Sequence, residues 1–175
     1  MSMAETMLEE FELQAGLTRK FIERLPEDKY GWKPHAKSMT AGQLALHLAS
    51  VPGGVVKLAQ TNPAPVPEAD AFKFAQPKTR EEILKTFDES AATVRSVLPK
   101  WNDAAMNENW RFAAGDQEFM VMPRAEMLRN IMLSHWYQHR GQFSVYLRML
   151  DVAVPSTWGP SADEAPGFMA LKKTA

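Results

Sequence analysis

The 175-residue chain contains no cysteine. Disulfide scaffolds, thiolate zinc sites and cysteine nucleophiles are therefore excluded, and any metal must be held by nitrogen or oxygen atoms. No apolar run approaches the roughly 20 residues that a membrane-spanning helix needs, and the N-terminal segment is acidic rather than basic. These absences predict a protein that is neither exported nor inserted into a membrane, and we expect a cytoplasmic location.

The chain also lacks an excess of charge of one sign. Its net charge is -1, with 45% hydrophobic and 23% charged residues, so it generates no field that would attract nucleic acid or an anionic membrane. We expect neither as a partner. The length is sufficient for one domain with a sizeable core. We therefore expect a single domain over residues 1–175, with residues 151–175 as a C-terminal tail packed on it.

Apolar residues recur with helical spacing in four segments of the chain. The first segment runs from Met3 to Leu25. The second begins at the capping-box pattern Thr40-Ala-Gly-Gln43, and the third follows a similar pattern, Thr79-Arg-Glu-Glu82. The last segment runs from Pro123 to Leu150. Four amphipathic helices predict an all-α chain folded as a four-helix bundle.

Proline and glycine mark the breaks between these helices. Residues 61–77 carry four prolines and are expected to form a long connector, and Pro52-Gly53-Gly54 is expected to kink or interrupt the second helix. A turn at Gly115-Asp116 between two short extended pieces predicts a possible hairpin before the last helix. The tail is expected to wrap the bundle without helix until its end.

Three of the four histidines lie where the helical repeat requires core residues. His135 and His139 are four residues apart on the apolar stripe of the last helix, and His47 lies on the stripe of the second. Such imidazoles need partners, either hydrogen bonds or a metal ion. Three nitrogen ligands from facing helices would leave a fourth position open, as in catalytic zinc sites, and would also suit nickel or iron. His35 lies in a polar loop and is expected to be solvated.

Several of these stretches resemble the DinB/YfiT-like family. They are Trp32-Lys-Pro-His35, Leu44-Ala-Leu-His47, Ser134-His-Trp-Tyr-Gln-His-Arg-Gly-Gln142 and the tail segment from Val154 to Glu164, in which Trp158 stands where tyrosine is expected. The resemblance implies a four-helix bundle with one metal ion held by three histidines. On this chain those ligands would be His47, His135 and His139.

The resemblance also implies an activity. It favours a metal-dependent enzyme that joins a low-molecular-weight thiol to a small electrophile, or a related hydrolase, with nickel or zinc as the metal and iron as a third option. The catalytic group would be a metal-bound water or thiolate, and the sulfur would have to come from the cosubstrate. The alternative is a non-catalytic, metal-binding, stress-linked bundle or dimeric binding module. A homodimer is possible under either hypothesis.

Three polar residues are candidates to orient an imidazole or a bound water: Gln43, Ser134 and Gln142. The sequence His-Trp-Tyr-Gln-His lacks the glutamate of the zinc-protease pattern His-Glu-x-x-His, which disfavours peptidase activity. Arg140 follows a predicted ligand but is expected to point away from the metal and to bind a tail carboxylate or solvent.

Overall fold

The computed structural model describes residues 1–66 and 74–170, and this part of the chain is mostly helical, at 61%. The predicted helices are present. The long ones are α1 (Met3–Arg24), α2 (Ala41–Ala59), α3 (Arg80–Val97) and a last helix in three consecutive pieces, α5 (Arg124–Met127), a π-helical segment (Leu128–Ser134) and α6 (His135–Met149); the short ones are α4 (Asp103–Asn107) and α7 (Gly167–Ala170).

Side-chain caps define where α1, α2 and α3 begin. The capping box at Thr40 forms as predicted, with the Thr40 hydroxyl accepting from Gln43 N and the Gln43 side chain accepting from Thr40 N. The second predicted box forms only in part. Thr79 accepts from Glu82 N, but the Glu82 carboxylate accepts from Lys78 N instead of Thr79 N.

The expectation of an all-α chain is wrong because a small mixed sheet packs beside the helices. β1 (Ala64–Pro65), β2 (Asn109–Ala114) and β3 (Gln117–Pro123) lie in that order, with β1 parallel to β2 and β2 antiparallel to β3. The β2–β3 hairpin confirms the predicted one, and Gly115 adopts the positive φ of 59° that its turn requires. β1 contains only two residues, so no alternation of apolar and polar residues could reveal this strand in the sequence.

The connector and the tail are described only in part. The predicted connector over 61–77 includes residues 67–73, which lie outside the described residues, as does the end of the tail at 171–175. The described part of the tail contains no helix or strand before α7. It is attached by ion pairs from Asp163 to Arg148, at 2.5 Å, and from Glu164 to Arg24.

α2 and α3 approach each other closely at Gly53. A Cβ atom there would lie 2.7 Å from Ser90 Cα, nearer than van der Waals contact permits, so only glycine fits. The Gly53 N–H donates to Ser90 Oγ at 2.8 Å. This contact draws the middle of α2 against α3.

Of the two expected effects of Pro52, a kink or an interruption, the interruption does not occur, because α2 continues through Pro52 to Ala59. Proline has no N–H, so the Leu48 carbonyl one turn earlier lacks its usual helical donor. The Trp136 indole Nε1 supplies that donor at 2.8 Å. Trp136 is fully buried and stacks on Phe11 with 5.5 Å between ring centroids. The bond joins α2 to α6 beside the histidines, because Leu48 follows His47 and Trp136 follows His135.

We predict that Trp136→Phe destabilises the protein by about 1–3 kcal/mol beyond the lost ring volume, because it leaves a buried carbonyl without a donor. Pro52→Ala supplies an N–H in place of the indole. The double variant should therefore lose less stability than the sum of the single variants, with a coupling of about 1 kcal/mol in chemical denaturation. Additive losses would show that the indole does not substitute for the missing proline N–H.

Candidate metal centre

The structure brings His47, His135 and His139 together from two helices. One ring nitrogen of each lies within 4.8 Å of the other two, and the ring centroids are 4.4–5.3 Å apart. α2 supplies His47, and successive turns of α6 supply the other two. All three side chains are half-buried. The set predicted from sequence is therefore one spatial cluster.

Hydrogen bonds at Nδ1 fix the tautomers of His135 and His139. His135 Nδ1 lies 3.3 Å from the Ile131 carbonyl oxygen, and His139 Nδ1 lies 2.7 Å from Gln142 Oε1. Both oxygens can only accept, so each Nδ1 carries the proton and each Nε2 presents a lone pair. The two Nε2 atoms face each other at 2.7 Å. Lone pairs at this distance repel each other unless a cation is shared between them.

At neutral pH, a proton is not favoured as this shared cation. Burial, with smaller contributions from His139 and His135, lowers the pKa of His47 to about 4. Burial also lowers the pKa of His139. Three imidazoles whose ring nitrogens converge in this way fit a divalent metal ion. Tetrahedral zinc sets ligand nitrogens roughly 3.3 Å apart, so a bound ion would need only a small separation of the two α6 rings.

A pocket of about 600 Å³ opens beside the three histidines. Its walls include apolar side chains, Leu46 from α2 and Phe74 and Ala75 from the segment before α3. The Phe74 ring meets His47 edge to face, with 5.1 Å between centroids. Glu82 and Thr86 of α3 complete the opposite side. A small molecule could therefore reach the nitrogen cluster from one direction.

Of the other residues considered in the sequence analysis, some lie at the histidine pocket and others do not. Gln142 contacts His139 as described above. Gln43 lines the pocket, but its side chain caps α2 and donates to the Phe74 carbonyl oxygen at 2.9 Å. Ser134 is exposed and does not line the pocket, since it faces away from the cluster. His35 is exposed, as expected.

Arg140 does not bind a tail carboxylate. Its Nη1 donates to Thr18 Oγ1 at 3.2 Å and to the Gln14 carbonyl oxygen at 3.4 Å, both on α1. The tail carboxylates are instead held by Arg24 and Arg148. The expectation that Arg140 points away from the histidines is correct, since it does not line their pocket.

Sequence analysis did not place Glu82 or Phe74 at the pocket. Glu82 had been interpreted only as a helix cap, and Phe74 lies in a proline-rich connector without periodicity. No local pattern places either residue opposite α6. Only the packing of α3 against α2 brings them to the histidines.

Comparison with known proteins identifies the family. The model of the DinB family matches residues 1–167. The chain belongs to the DinB family. It is 25% identical over 162 residues to the protein YrdA of Bacillus subtilis (strain 168), covering 92% of this chain and 91% of YrdA.

Two solved structures share the fold of this DinB-family chain. The DinB-like protein of Bacillus cereus ATCC 10987 superposes with a TM-score of 0.68 at 18% identity, covering 88% of this chain and 97% of that one. A DinB-like protein of Bacillus subtilis gives a TM-score of 0.64 at 16% identity, with 86% and 96% covered. Within residues 1–66 and 74–170, no helix has the length and apolarity to cross a bilayer.

We predict that the metal-free protein loses stability as the pH falls from about 6.5 towards 4. The unfolded chain binds a proton at His47 near its ordinary pKa of 6.5, whereas the folded chain does so only near 4. The free energy of unfolding is therefore highest above pH 6.5, falls between the unfolded and the folded pKa, and levels off below the folded pKa. His47→Gln cannot titrate, so its free energy of unfolding should fall less between pH 7 and 5. Equal pH dependence in chemical denaturation of the two proteins would contradict the burial of His47.

Proposed function

We propose that this DinB-family protein is a metal-dependent enzyme that transfers a low-molecular-weight thiol to a small electrophile. The observation that carries the proposal is the cluster of three histidine side chains at an accessible pocket. A closed, fully coordinated site would instead support a structural or sensory metal. The open side of this cluster leaves room for a ligand beyond the three imidazoles.

His47, His135 and His139 would hold the ion, which we propose to be nickel or zinc, with iron also compatible with imidazole ligands. A divalent cation held there favours the deprotonated form of a thiol or water molecule at neutral pH. Gln142 holds His139 in the tautomer that presents Nε2 to the pocket. The chain has no cysteine, so a reacting sulfur must belong to a cosubstrate.

The walls of the pocket support a small and partly apolar electrophile. Leu46, Phe74 and Ala75 offer apolar surface, and a ligand against them would displace water from the reacting groups. Glu82 is the one carboxylate among the described lining residues. We propose that it accepts the proton that the nucleophile releases.

The same carboxylate favours a second candidate function, hydrolysis. Peptidase chemistry is disfavoured by the missing glutamate in His-Trp-Tyr-Gln-His, but Glu82 could activate a water molecule from α3 instead. The two candidates differ in the nucleophile. Transfer requires added thiol, whereas hydrolysis proceeds without it.

We predict that protein loaded with nickel or zinc accelerates conjugation of monochlorobimane to cysteine or glutathione, measured by fluorescence of the conjugate. Gln142→Ala should lower the rate by about 10–100-fold, because His139 loses the partner that orients it. Gln138→Ala is the matched control. Gln138 is exposed on the same helix and does not line the pocket, so its loss should leave the rate unchanged.

Two results would count against thiol transfer. A metal-loaded protein no faster than the metal-free protein with either thiol would contradict it. Metal-dependent cleavage of a simple ester such as 4-nitrophenyl acetate without thiol, reduced by Glu82→Gln, would support hydrolysis instead.

A further inference from the structure

A second cavity of about 320 Å³ lies on another side of α6, between α1 and the C-terminal tail. It shares no lining residue with the histidine pocket. Its walls are rich in polar groups: Arg140 and Ser144 from α6, and Thr157 and Ser161 from the tail. The proposed reaction uses none of these residues.

Arg140 is the charged group of this cavity. Its Nη1 donates to two oxygens of α1, and its guanidinium lies 5.3 Å from the centroid of the Tyr137 ring. Among the described residues, no acceptor pairs with Nε or Nη2, and no carboxylate lies within 4.0 Å of the guanidinium. A partly buried cation without a counterion is costly, so an anion bound in the cavity would stabilise it.

Nearby carboxylates are directed to other partners. Asp163 binds Arg148 and accepts from Val154 N at 2.8 Å, and Glu164 binds Arg24 and accepts from Ser156 N at 3.2 Å. Glu10 accepts from the Tyr137 hydroxyl at 2.8 Å. The two acidic residues of the tail, Asp163 and Glu164, thus lie near the cavity without lining it. The tail contributes the hydroxyl groups of Thr157 and Ser161 to the cavity wall instead.

We propose that this cavity binds a small oxyanion, the carboxylate or phosphate group of a metabolite, with Arg140 as its anchor. Nε and Nη2 form the edge of a guanidinium that binds two oxygens of one anion side by side. The Thr157 hydroxyl has no side-chain hydrogen bond among the described residues and can rotate to donate to the anion. The volume suits a ligand of a few carbon atoms.

The test is isothermal titration calorimetry of the full-length, metal-free protein with inorganic phosphate and, separately, with succinate. Removing the metal excludes binding of the anion to the histidine cluster. One site per chain is expected, and the preferred anion distinguishes a phosphate from a carboxylate ligand. Arg140→Gln should weaken binding roughly tenfold or more. Arg111→Gln removes the same charge from an exposed arginine on β2 and should have no effect.

A second pair of variants keeps Arg140 and its contacts with α1. Ser144 lies four residues after Arg140 on the same face of α6, so Ser144→Asp places a carboxylate within reach of the guanidinium. This internal anion should abolish binding of the added anion and raise Tm. Ser144→Asn has the same shape without the charge and should retain binding within about threefold.

Three outcomes would overturn the proposal. They are no binding of either anion to the wild-type protein, equal binding by wild type and Arg140→Gln, or equal loss of binding in Ser144→Asp and Ser144→Asn. None of these outcomes depends on whether the histidine cluster is catalytic. Failure of the anion site is therefore distinguishable from failure of the proposed thiol transfer.

Discussion

The hydrogen bond from the Trp136 indole to the Leu48 carbonyl holds together the two helices on which the candidate metal centre depends. His47 precedes the acceptor and His135 precedes the donor, so this bond fixes how far each histidine reaches towards the other. It exists because Pro52 leaves that carbonyl without a helical donor. A residue that normally weakens a helix thus creates the buried acceptor that aligns α2 with α6.

The packing of α6 against α2 also determines which nitrogen atoms of His135 and His139 face the site. With α6 held against α2, the Nδ1–H groups of His135 and His139 donate hydrogen bonds to acceptors on the same last helix. Both Nε2 lone pairs must then converge on the space in front of His47. Repulsion between these lone pairs, together with burial that lowers the pKa of His47 and His139, favours a divalent ion in this site.

α6 separates two chemically different cavities. One side presents imidazole nitrogens to a pocket with apolar walls, and the other presents the Arg140 guanidinium to a polar cavity beneath the tail. Adjacent residues, His139 and Arg140, belong to opposite sites because consecutive helical residues point about 100° apart. One short stretch of sequence therefore borders two cavities of different chemical character.

Much of this could be predicted from sequence. The spacing of apolar residues located the long helices, and the same periodicity placed His47, His135 and His139 on inward-facing stripes. Features that depend on tertiary contacts were not predictable. The continuity of α2 through Pro52 needs a donor from another helix, β1 is too short to form a pattern, and Glu82 reaches the pocket only through the packing of α3. The π-helical segment before His135 likewise departs from the 3.6-residue period on which the prediction relied.

Metal content tests the central claim most directly. The protein should be expressed without a histidine tag or added metal and examined by inductively coupled plasma mass spectrometry, with circular dichroism on the same samples. The account predicts about one nickel, zinc or iron per chain in the wild type. It also predicts a large loss of metal in His47→Ala with helix content retained. A wild-type protein that contains no metal and takes none up on titration would contradict the account, as would unchanged metal content in His47→Ala.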